Sequence, residues 1–346
     1  MISDKKLRKK FDIIILGYYG FGNLGDELLA EAVIGLLTEA GVSRDRIAIL
    51  SASPKESEEK FSVRAFNRWN IGEVSALFSR GHSLLLGGGG LFQDSTSLRS
   101  CLYYYAMVRL AKLKGLKIWA AGQSVGPLHR KAAKYLTKSA LGCCDYLSVR
   151  DEASFKAASE LSLDAKLSHD LVTSLALDPK VIGSDDNSEE VILFNARPGY
   201  DNIAEDAARK TSELADKTCR PLKGSAFADE DAKEISRLCE RNLINIRDII
   251  TVKSLNDFCS AAKGASGAVG MRLHFLLLSA LAGIPLAGAA YDPKVSGFCR
   301  KYGFDLTDGA EITLSCGDRQ KISEAALKSK EDFTVALKSI LGESNE

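Results

Sequence analysis

Residues 11–37 read FDIIILGYYGFGNLGDELLAEAVIGLL. The apolar run Asp12–Leu16 is followed by a glycine-rich turn and then by apolar residues at helical spacing. A buried strand that leads through glycines into a helix is typical of the first strand, turn and helix of a Rossmann-like domain. The stretch therefore predicts a parallel sheet that is covered by helices.

The same alternation of short apolar runs and helical patterns continues along the chain. Further strands are predicted at Ile47–Leu50, Ser83–Leu86, Lys117–Ala121 and Tyr146–Val149. Parallel strands that are buried on both faces read as continuous apolar runs of this kind. The first half of the chain therefore predicts an α/β fold with a doubly wound parallel sheet.

A second α/β unit is predicted after a polar stretch around residues 178–190, which is rich in Gly, Asp and Ser and is interpreted as a linker. Most of its predicted strands are separated by helix-like segments. The strands are Val191–Asn195, Ile249–Val252, Gly267–Val269 and Pro285–Ala289, and a last helix is predicted at Lys321–Leu341.

A length of 346 residues exceeds the usual size of one hydrophobic core. We therefore expect an N-terminal Rossmann-like domain over residues 1–180 and a C-terminal Rossmann-like domain over residues 190–320. The remaining residues, 321–346, are expected to form a C-terminal helix that packs across the domain boundary. The two parallel sheets are expected to face each other across a cleft, because open sheets bind ligands at the carboxyl ends of their strands.

Composition and charge exclude several classes of protein. The formal net charge is +1, which gives no overall field that favours nucleic acid. No run of about 18 apolar residues is present to span a bilayer, and the N-terminal stretch lacks the apolar core of a signal peptide. These features predict a cytoplasmic protein. The basic cluster KKLRKK at residues 5–10 leaves contact with an anionic inner membrane face open, as an alternative to a solvated tail.

Cysteine and histidine spacing gives no metal-binding pattern. The eight cysteines form no CxxC pair, and none of the four histidines belongs to an HExxH motif. We therefore expect reduced thiols and no bound metal.

Gly20, Gly22 and Gly25 satisfy the GxGxxG pattern of dinucleotide-binding domains. An NAD site would require an acidic residue at the end of the next strand, whereas that strand is followed by the small residues of SAS at 51–53. Asp26 and Glu27 in the first helical turn would also repel a pyrophosphate. The loop is therefore interpreted as a site where Asp26 accepts a proton or a sugar hydroxyl, with simple helix capping as the alternative.

A second glycine run, residues 87–90, precedes the polar side chains of Gln93 and Asp94. Here the chain resembles the polysaccharide pyruvyl transferase family, and in particular its CsaB type, which pyruvylates secondary cell-wall polymers. The resembling segments keep their order along the chain. They are GYYGFGNLGDE at 17–27, LLLGGGGLFQDSTSLRSCLYYYA at 84–106, AAGQSVGPL at 120–128, SVRDEAS at 148–154 and VGMRLHFLLLSALAGIPLAGAAYDPKVSGF at 269–298.

The resemblance implies two domains arranged as in GT-B glycosyltransferases, with acceptor binding on the N-terminal side and phosphoenolpyruvate on the C-terminal side. It implies transfer of pyruvate to a sugar or lipid-linked glycan as a cyclic ketal, with release of phosphate and without a cofactor. A nucleotide-sugar glycosyltransferase of the same architecture is the alternative. It would require a carboxylate late in the second domain, where Asp292, Asp305, Asp308 and Glu311 show no clear spacing.

The expected donor site consists of cations that can bind the carboxylate and phosphate of phosphoenolpyruvate. These are Arg150, Arg272, His274 and Lys294. The expected acceptor residues are Asn23, Asp26, Gln93 and Asp94. His274 is expected to act as an acid and Asp26 as a base, and the two are expected to lie on different domains and to meet when the cleft closes.

Three further features are expected to have a smaller part in the chemistry or none. Arg197 is expected near the acceptor or the linker, the tyrosines at 103–105 are expected in packing, and for Arg150 an ion pair with Asp151 or Glu152 is the alternative role. Residues 220–235, RPLKGSAFADEDAKEI, depart from the strand and apolar turn of the family, which puts acceptor specificity in question.

Overall fold

The computed structural model describes residues 9–94, 97–175 and 190–342. Among these residues, 9–21, 29–174 and 327–342 form one compact unit, and 22–28, 175 and 190–326 form a second. Most of the predicted linker and of the basic cluster lie outside the described residues. The last helix contributes residues to both units, and its predicted packing stays a prediction.

The first unit contains a parallel sheet whose strand order is β3-β2-β1-β4-β6-β7-β8, with β5 paired to β6. Its strands are β1 Phe11–Leu16, β2 Ile47–Ser51, β3 Arg64–Asn67, β4 Gly81–Leu86, β5 Gly89–Phe92, β6 Lys117–Val125, β7 Tyr146–Val149 and β8 Lys166–Leu167. Its helices are α1 Leu24–Glu39, α2 Pro54–Phe61, α3 Ile71–Phe78, α4 Leu98–Leu113, α5 Lys131–Leu141 and α6 Glu152–Glu160. The first turn of α1 groups with the second unit.

The second unit contains a parallel sheet of order β11-β10-β9-β12-β13-β14. Its strands are β9 Val191–Asn195, β10 Leu222–Ala226, β11 Ile246–Thr251, β12 Ala265–Gly270, β13 Leu286–Gly288 and β14 Asp305–Leu306. Its helices are α7 Asp201–Thr218, α8 Asp229–Glu240, α9 Leu255–Ala261, α10 Leu273–Leu281, α11 Pro293–Tyr302 and the start of α12, Arg319–Leu341. The predicted fold class, with two Rossmann-like parallel sheets, is confirmed.

Burial explains why the central strands form. In β1 and β4 nearly every side chain is buried, as expected for parallel strands with helices on both faces, and Ile14 lies opposite Ala48 and Leu84 in register. Polar side chains then start the helices. Asn70 accepts a hydrogen bond from the backbone N–H of Glu73, which caps α3.

Each sheet has a point where the strand order reverses, and ligands of doubly wound sheets bind at such points. In the first unit this point lies between β1 and β4, which lead into the two glycine runs. In the second unit it lies between β9 and β12, and β12 leads into Met271-Arg272-Leu273-His274. The fold therefore places the motifs found in the sequence at the ends of central strands.

Candidate functional site

The backbone around Arg272 is fixed by a side chain from the neighbouring strand. Arg272 stands at the start of α10, and its backbone N–H donates to Oδ1 of Asn195 at 3.0 Å. The amide of Asn195, at the end of β9, donates in turn to the carbonyl oxygen of Ser225 at 2.8 Å. Three strand ends are thus linked by one buried amide.

The guanidinium of Arg272 forms a bidentate ion pair with Asp231, which stands in the first turn of α8. Nε lies 2.9 Å from Oδ2 and Nη2 lies 2.5 Å from Oδ1. The carboxylate is fully buried, whereas 18% of the arginine side chain is exposed. Burial opposes the charged form of Arg272, but Asp231 outweighs it, so the pKa of the guanidinium is raised above its usual value. The arginine is therefore held charged and in one orientation.

Asp231 also connects this pair to the start of α1. Its Oδ2 accepts a hydrogen bond from the backbone N–H of Phe227 at 3.1 Å, and the carbonyl oxygen of Phe227 accepts one from Leu24 N–H at 3.1 Å. Sequence reasoning missed Asp231. The available signal was the acidic run Asp229–Asp231, which lies in the segment that departs from the family pattern.

His274 packs against the first glycine motif. A Cβ atom at residue 25 would overlap Nδ1 of the His274 ring, so only glycine fits at this position. Asn23 donates from Nδ2 to Oδ2 of Asp26 at 2.5 Å in the same turn. Residues 22–28 and His274 belong to the second unit, which differs from the expectation that Asp26 and His274 lie on different domains.

Replacing Gly25 by alanine is expected to displace the His274 ring and to reduce turnover by about 10- to 100-fold, because small displacements of a reacting group have effects of this size. Gly35→Ala is the matched control, since Gly35 lies in the same helix with nothing near an added Cβ. That variant should gain about 0.4–1 kcal/mol in unfolding free energy. Steady-state kinetics and thermal unfolding measure both effects, and equal turnover in the two variants would contradict the role given to Gly25.

Two further cations lie at the ends of strands next to β12. Lys294 is half-buried in the first turn of α11, where its backbone N–H donates to Oδ1 of Asp292 at 2.9 Å. Arg197 follows β9, and its Nη1 donates to the hydroxyl of Tyr291 at 2.8 Å. The structure therefore places Arg197 at the end of β9, which pairs with β12, and its expected position near the acceptor or the linker stays a prediction.

Arg150 lies in the first unit and is almost completely buried, with 5% of its side chain exposed. Nη1 lies 2.6 Å from Oδ2 of Asp170 and Nε lies 3.4 Å from Oδ2 of Asp151. Burial opposes its charge, but the two carboxylates raise the pKa of the guanidinium. The alternative role, an ion pair with Asp151, is present, and Asp170 is a partner that the sequence did not reveal. Donor binding by Arg150 stays a prediction.

The second glycine run has a packing role. A Cβ atom at Gly87 would overlap the hydroxyl of Tyr19, and that hydroxyl donates to the carbonyl oxygen of Gly87 at 3.1 Å. Gly88 and Gly89 both have positive φ, at 83° and 79°. Packing and backbone conformation therefore account for Gly87, Gly88 and Gly89 without close approach of a ligand.

Asp94 organises the loop that precedes α5. Its two carboxylate oxygens accept hydrogen bonds from the backbone N–H groups of His129 at 2.8 Å and Arg130 at 2.7 Å. Gln93 lies beside it, half-buried, and its carbonyl oxygen accepts a hydrogen bond from Cys101 Sγ at 3.4 Å. Burial raises the pKa of Asp94, but these N–H groups outweigh it and the pKa is lowered overall. Acceptor binding by Gln93 and Asp94 stays a prediction.

Asp94→Asn is expected to lower the unfolding free energy at pH 7 by about 1.5–3 kcal/mol, the usual worth of a hydrogen bond to a charged group. Because the folded pKa is lowered, the contribution of Asp94 is present above its unfolded pKa of about 3.9 and is lost as pH falls through the folded pKa. The variant should therefore lose less stability on acidification. Denaturant unfolding between neutral and acid pH tests this, with exposed Asp164→Asn as the control; a parallel pH dependence would contradict it.

Three of the four carboxylates considered for the glycosyltransferase alternative have local structural partners. Oδ1 of Asp292 caps α11, Oδ2 of Asp305 accepts from Oγ1 of Thr313 at 2.9 Å, and Glu311 lies 2.7 Å from Nζ of Lys217. These contacts favour structural roles for the three side chains.

No group of three or more His, Cys, Asp or Glu side chains suited to a metal ion occurs among the described residues. Within the same ranges, no helix is both long and apolar enough to cross a membrane.

The two parallel sheets, their strand orders and the helices around them define a GT-B-like α/β protein. A family model described as polysaccharide pyruvyl transferase matches residues 23–293, and the chain belongs to this family. The match includes every candidate residue except Lys294, which stands directly after it. The comparison with curated proteins gives no match.

Solved structures with the same fold include nucleotide-sugar enzymes. UDP-GlcNAc 2-epimerase from Methanocaldococcus jannaschii, in complex with UDP-GlcNAc and UDP, has a TM-score of 0.57 at 12% identity, over 94% of this chain and 99% of that one. UDP-N-acetylglucosamine 2-epimerase from Rickettsia bellii has a TM-score of 0.56 at 13% identity, over 95% of this chain and 97% of that one. A glycosyltransferase from Rickettsia africae ESF-5 has a TM-score of 0.54 at 12% identity, over 97% of this chain and 100% of that one. At these identities the likeness shows the fold alone.

Proposed function

We propose that the protein transfers pyruvate from phosphoenolpyruvate to a sugar of a cell-wall polysaccharide or its precursor, as a cyclic ketal. Membership of the polysaccharide pyruvyl transferase family supports a glycan acceptor. The observation that supports phosphoenolpyruvate as the donor is a set of cationic side chains at the ends of neighbouring strands in the second unit. Arg272 and His274 follow β12, and Lys294 follows β13.

Phosphoenolpyruvate suits this set because its carboxylate and phosphate carry roughly three negative charges, which forked and compact cations bind well. Arg272 offers a guanidinium that Asp231 holds in place, and Lys294 offers a point charge. Both stand at the first turn of a helix, α10 or α11, where the helix dipole also favours anions. The donor therefore binds in the second unit without a metal or cofactor.

The reaction balances as follows. The methylene carbon of phosphoenolpyruvate gains a proton and becomes a methyl group, while one sugar hydroxyl oxygen forms a bond to the central carbon. The bond from that carbon to the phosphate oxygen breaks, and a second hydroxyl oxygen closes the ketal. The two hydroxyls release two protons, which balances the one that the methyl group takes up and the one that leaves with phosphate.

Within this scheme His274 donates the proton to the methylene carbon, and Asp26 accepts the proton of the attacking hydroxyl. Arg272 and Lys294 stabilise the charge on the departing phosphate. Because phosphoenolpyruvate is a cytoplasmic metabolite, the reaction takes place in the cytoplasm, and at the inner face of the membrane if the acceptor is lipid-linked.

Phosphate release from phosphoenolpyruvate tests the proposal, with the full chain and a panel of free and lipid-linked sugars in the presence of a chelator. Acceptor-dependent phosphate release is the expected result, and phosphoenolpyruvate alone should raise the melting temperature by mass action. The nucleotide-sugar alternative is tested in the same panel with UDP-sugars. Strict dependence on a divalent ion, or release of UDP with no release of phosphate, would overturn the proposal.

Lys294→Ala is expected to reduce kcat/KM for phosphoenolpyruvate by about 10- to 150-fold, because a charge-assisted contact is worth roughly 1.5–3 kcal/mol. The side chain is only half-buried, so the fold should be retained. Lys301→Ala, an exposed lysine of the same helix, removes the same charge and controls for long-range electrostatics. Equal kinetics in both variants would rule out phosphate binding by Lys294.

A further inference from the structure

A group of aromatic side chains lies exposed on the first unit. Tyr18, Phe21 and Trp69 are 43%, 39% and 58% exposed. The rings of Tyr18 and Phe21 are stacked, with centroids 4.1 Å apart, and Trp69 contacts both Phe21 and half-buried Tyr103 at centroid distances of 6.4 and 5.3 Å. We call these four side chains the aromatic platform.

The guanidinium of Arg68 contacts three of the four rings of the platform. Only 2% of this residue is exposed, and its guanidinium carbon lies 5.1 Å from the ring centroid of Phe21, 5.2 Å from that of Trp69 and 4.5 Å from that of Tyr103. Its Nη1 donates to the carbonyl oxygen of Gly17 at 2.7 Å. The rings are therefore gathered around one fixed cation.

The burial of Arg68 is unusual because, among the described residues, its guanidinium donates to a carbonyl oxygen and a hydroxyl and not to a carboxylate, and its Nε has no hydrogen-bond partner there. A buried guanidinium without a counter-charge is costly. Nη2 reaches the hydroxyl of Tyr104 at 3.3 Å, and the ring faces supply the remaining stabilisation. The fold thus maintains a costly arrangement whose outcome is a set of ordered, exposed aromatic rings.

The position of the platform indicates what covers it. Phe21 stands two residues before Asn23 and five before Asp26, which lies in the first turn of α1, so the platform is continuous in the chain with the proposed acceptor residues. A polysaccharide acceptor presents sugar rings with apolar C–H faces and polar hydroxyl edges. Tyrosine and tryptophan suit such a ligand, because each combines a flat apolar face with a polar tip.

We propose that the aromatic platform is a saccharide-binding subsite, which stacks against sugar residues of the acceptor next to the one that is modified. The proposal rests on the proposed function, because that function makes the acceptor a chain of sugars. Large exposed aromatic surfaces also occur where proteins associate, so a second copy of the chain is an outcome that the test must separate.

Tryptophan fluorescence tests the platform directly, because one of the two tryptophans, Trp69, lies in it and the other, Trp119, is completely buried in the core. Acrylamide quenching is measured with cello-, malto- and chito-oligosaccharides of increasing length. At least one series is expected to protect Trp69 from quenching, with protection that increases with length. Trp69→Phe should abolish the change, whereas Tyr135→Ala, an exposed aromatic outside the platform, should retain it.

Kinetics with the best acceptor give a second readout. Trp69→Ala and Phe21→Ala are expected to raise KM for an oligosaccharide acceptor about tenfold, the usual order for a buried aromatic contact, with a smaller effect on kcat. Tyr135→Ala should leave both constants unchanged.

The outcomes separate this proposal from the proposed function. If no oligosaccharide protects Trp69 from quenching, the platform is not a saccharide-binding subsite. If quenching of Trp69 changes with protein concentration instead, the platform is a surface for self-association. Protection without phosphate release from phosphoenolpyruvate would support the platform and overturn the transferase reaction. Transfer of pyruvate to an oligosaccharide that does not protect Trp69 would support the transferase reaction and contradict the saccharide-binding role of the platform.

Discussion

His274→Gln is expected to lower kcat by about 10²- to 10⁴-fold, the usual contribution of a general acid. Glutamine retains polar contacts but cannot deliver a proton to the methylene carbon of phosphoenolpyruvate. The imidazole suits this step because a ring N–H can donate a proton. Its position against Gly25, next to Asp26, brings the proposed acid to the same loop as the proposed base.

The pH dependence of kcat distinguishes an acid from a simple binding group. The parent enzyme should give a bell-shaped profile, since Asp26 must be deprotonated and His274 protonated. The basic limb should disappear in His274→Gln and the acidic limb in Asp26→Asn. His82→Gln, in the first unit, is the control. A His274→Gln enzyme with full rate and a complete bell would show that His274 only helps to hold the donor.

Asp231→Ala is expected to lower the unfolding free energy by about 3–5 kcal/mol, because it leaves the largely buried guanidinium of Arg272 without its counter-charge. It also removes the acceptor for Phe227 N–H, and Phe227 in turn holds Leu24. Denaturant unfolding measures the loss. Asp229→Ala, an exposed aspartate in the same helical turn, should change stability by less than about 1 kcal/mol.

The contribution of this ion pair to stability can be distinguished from the contribution of Arg272 to donor binding. Arg272→Ala should be destabilising as well, because it leaves a fully buried carboxylate unpaired. The double variant Arg272→Met with Asp231→Leu should recover much of the stability but none of the donor binding. An Asp231→Ala protein as stable as the parent would contradict the importance of the pair.

Much of the fold could be predicted because the central strands are continuous apolar runs. Strand β7 has the predicted bounds Tyr146–Val149, and β1, β2 and β4 differ from prediction by one or two residues. Strand β10, Leu222–Ala226, was missed because LKGSA contains few apolar residues, although it is paired on both edges. Its presence also means that the segment after Arg220 keeps a strand, contrary to the departure inferred from its composition.

The candidate site was less accessible to sequence reasoning, because the partners of each charge lie far apart in the chain. The sequence marks Arg272 and Arg150 as candidate cations but not Asp231 and Asp170, which orient them from 41 and 20 residues away. The contact of His274 with Gly25 could not be inferred either, since a glycine in a GxGxxG motif already has an ordinary explanation in its turn. Motifs identify the reactive groups, whereas the tertiary fold determines which groups support them.

During transfer of the pyruvate unit to a sugar, a proton from an exchangeable source is expected to reach the methylene carbon of phosphoenolpyruvate. The most direct measurement is mass and NMR analysis of the product formed in deuterated water. The expected product is a pyruvate ketal whose methyl group carries one deuterium, with one phosphate released for each ketal. A product without deuterium in that methyl group, or a glycosyl group transferred from a UDP-sugar instead, would contradict it.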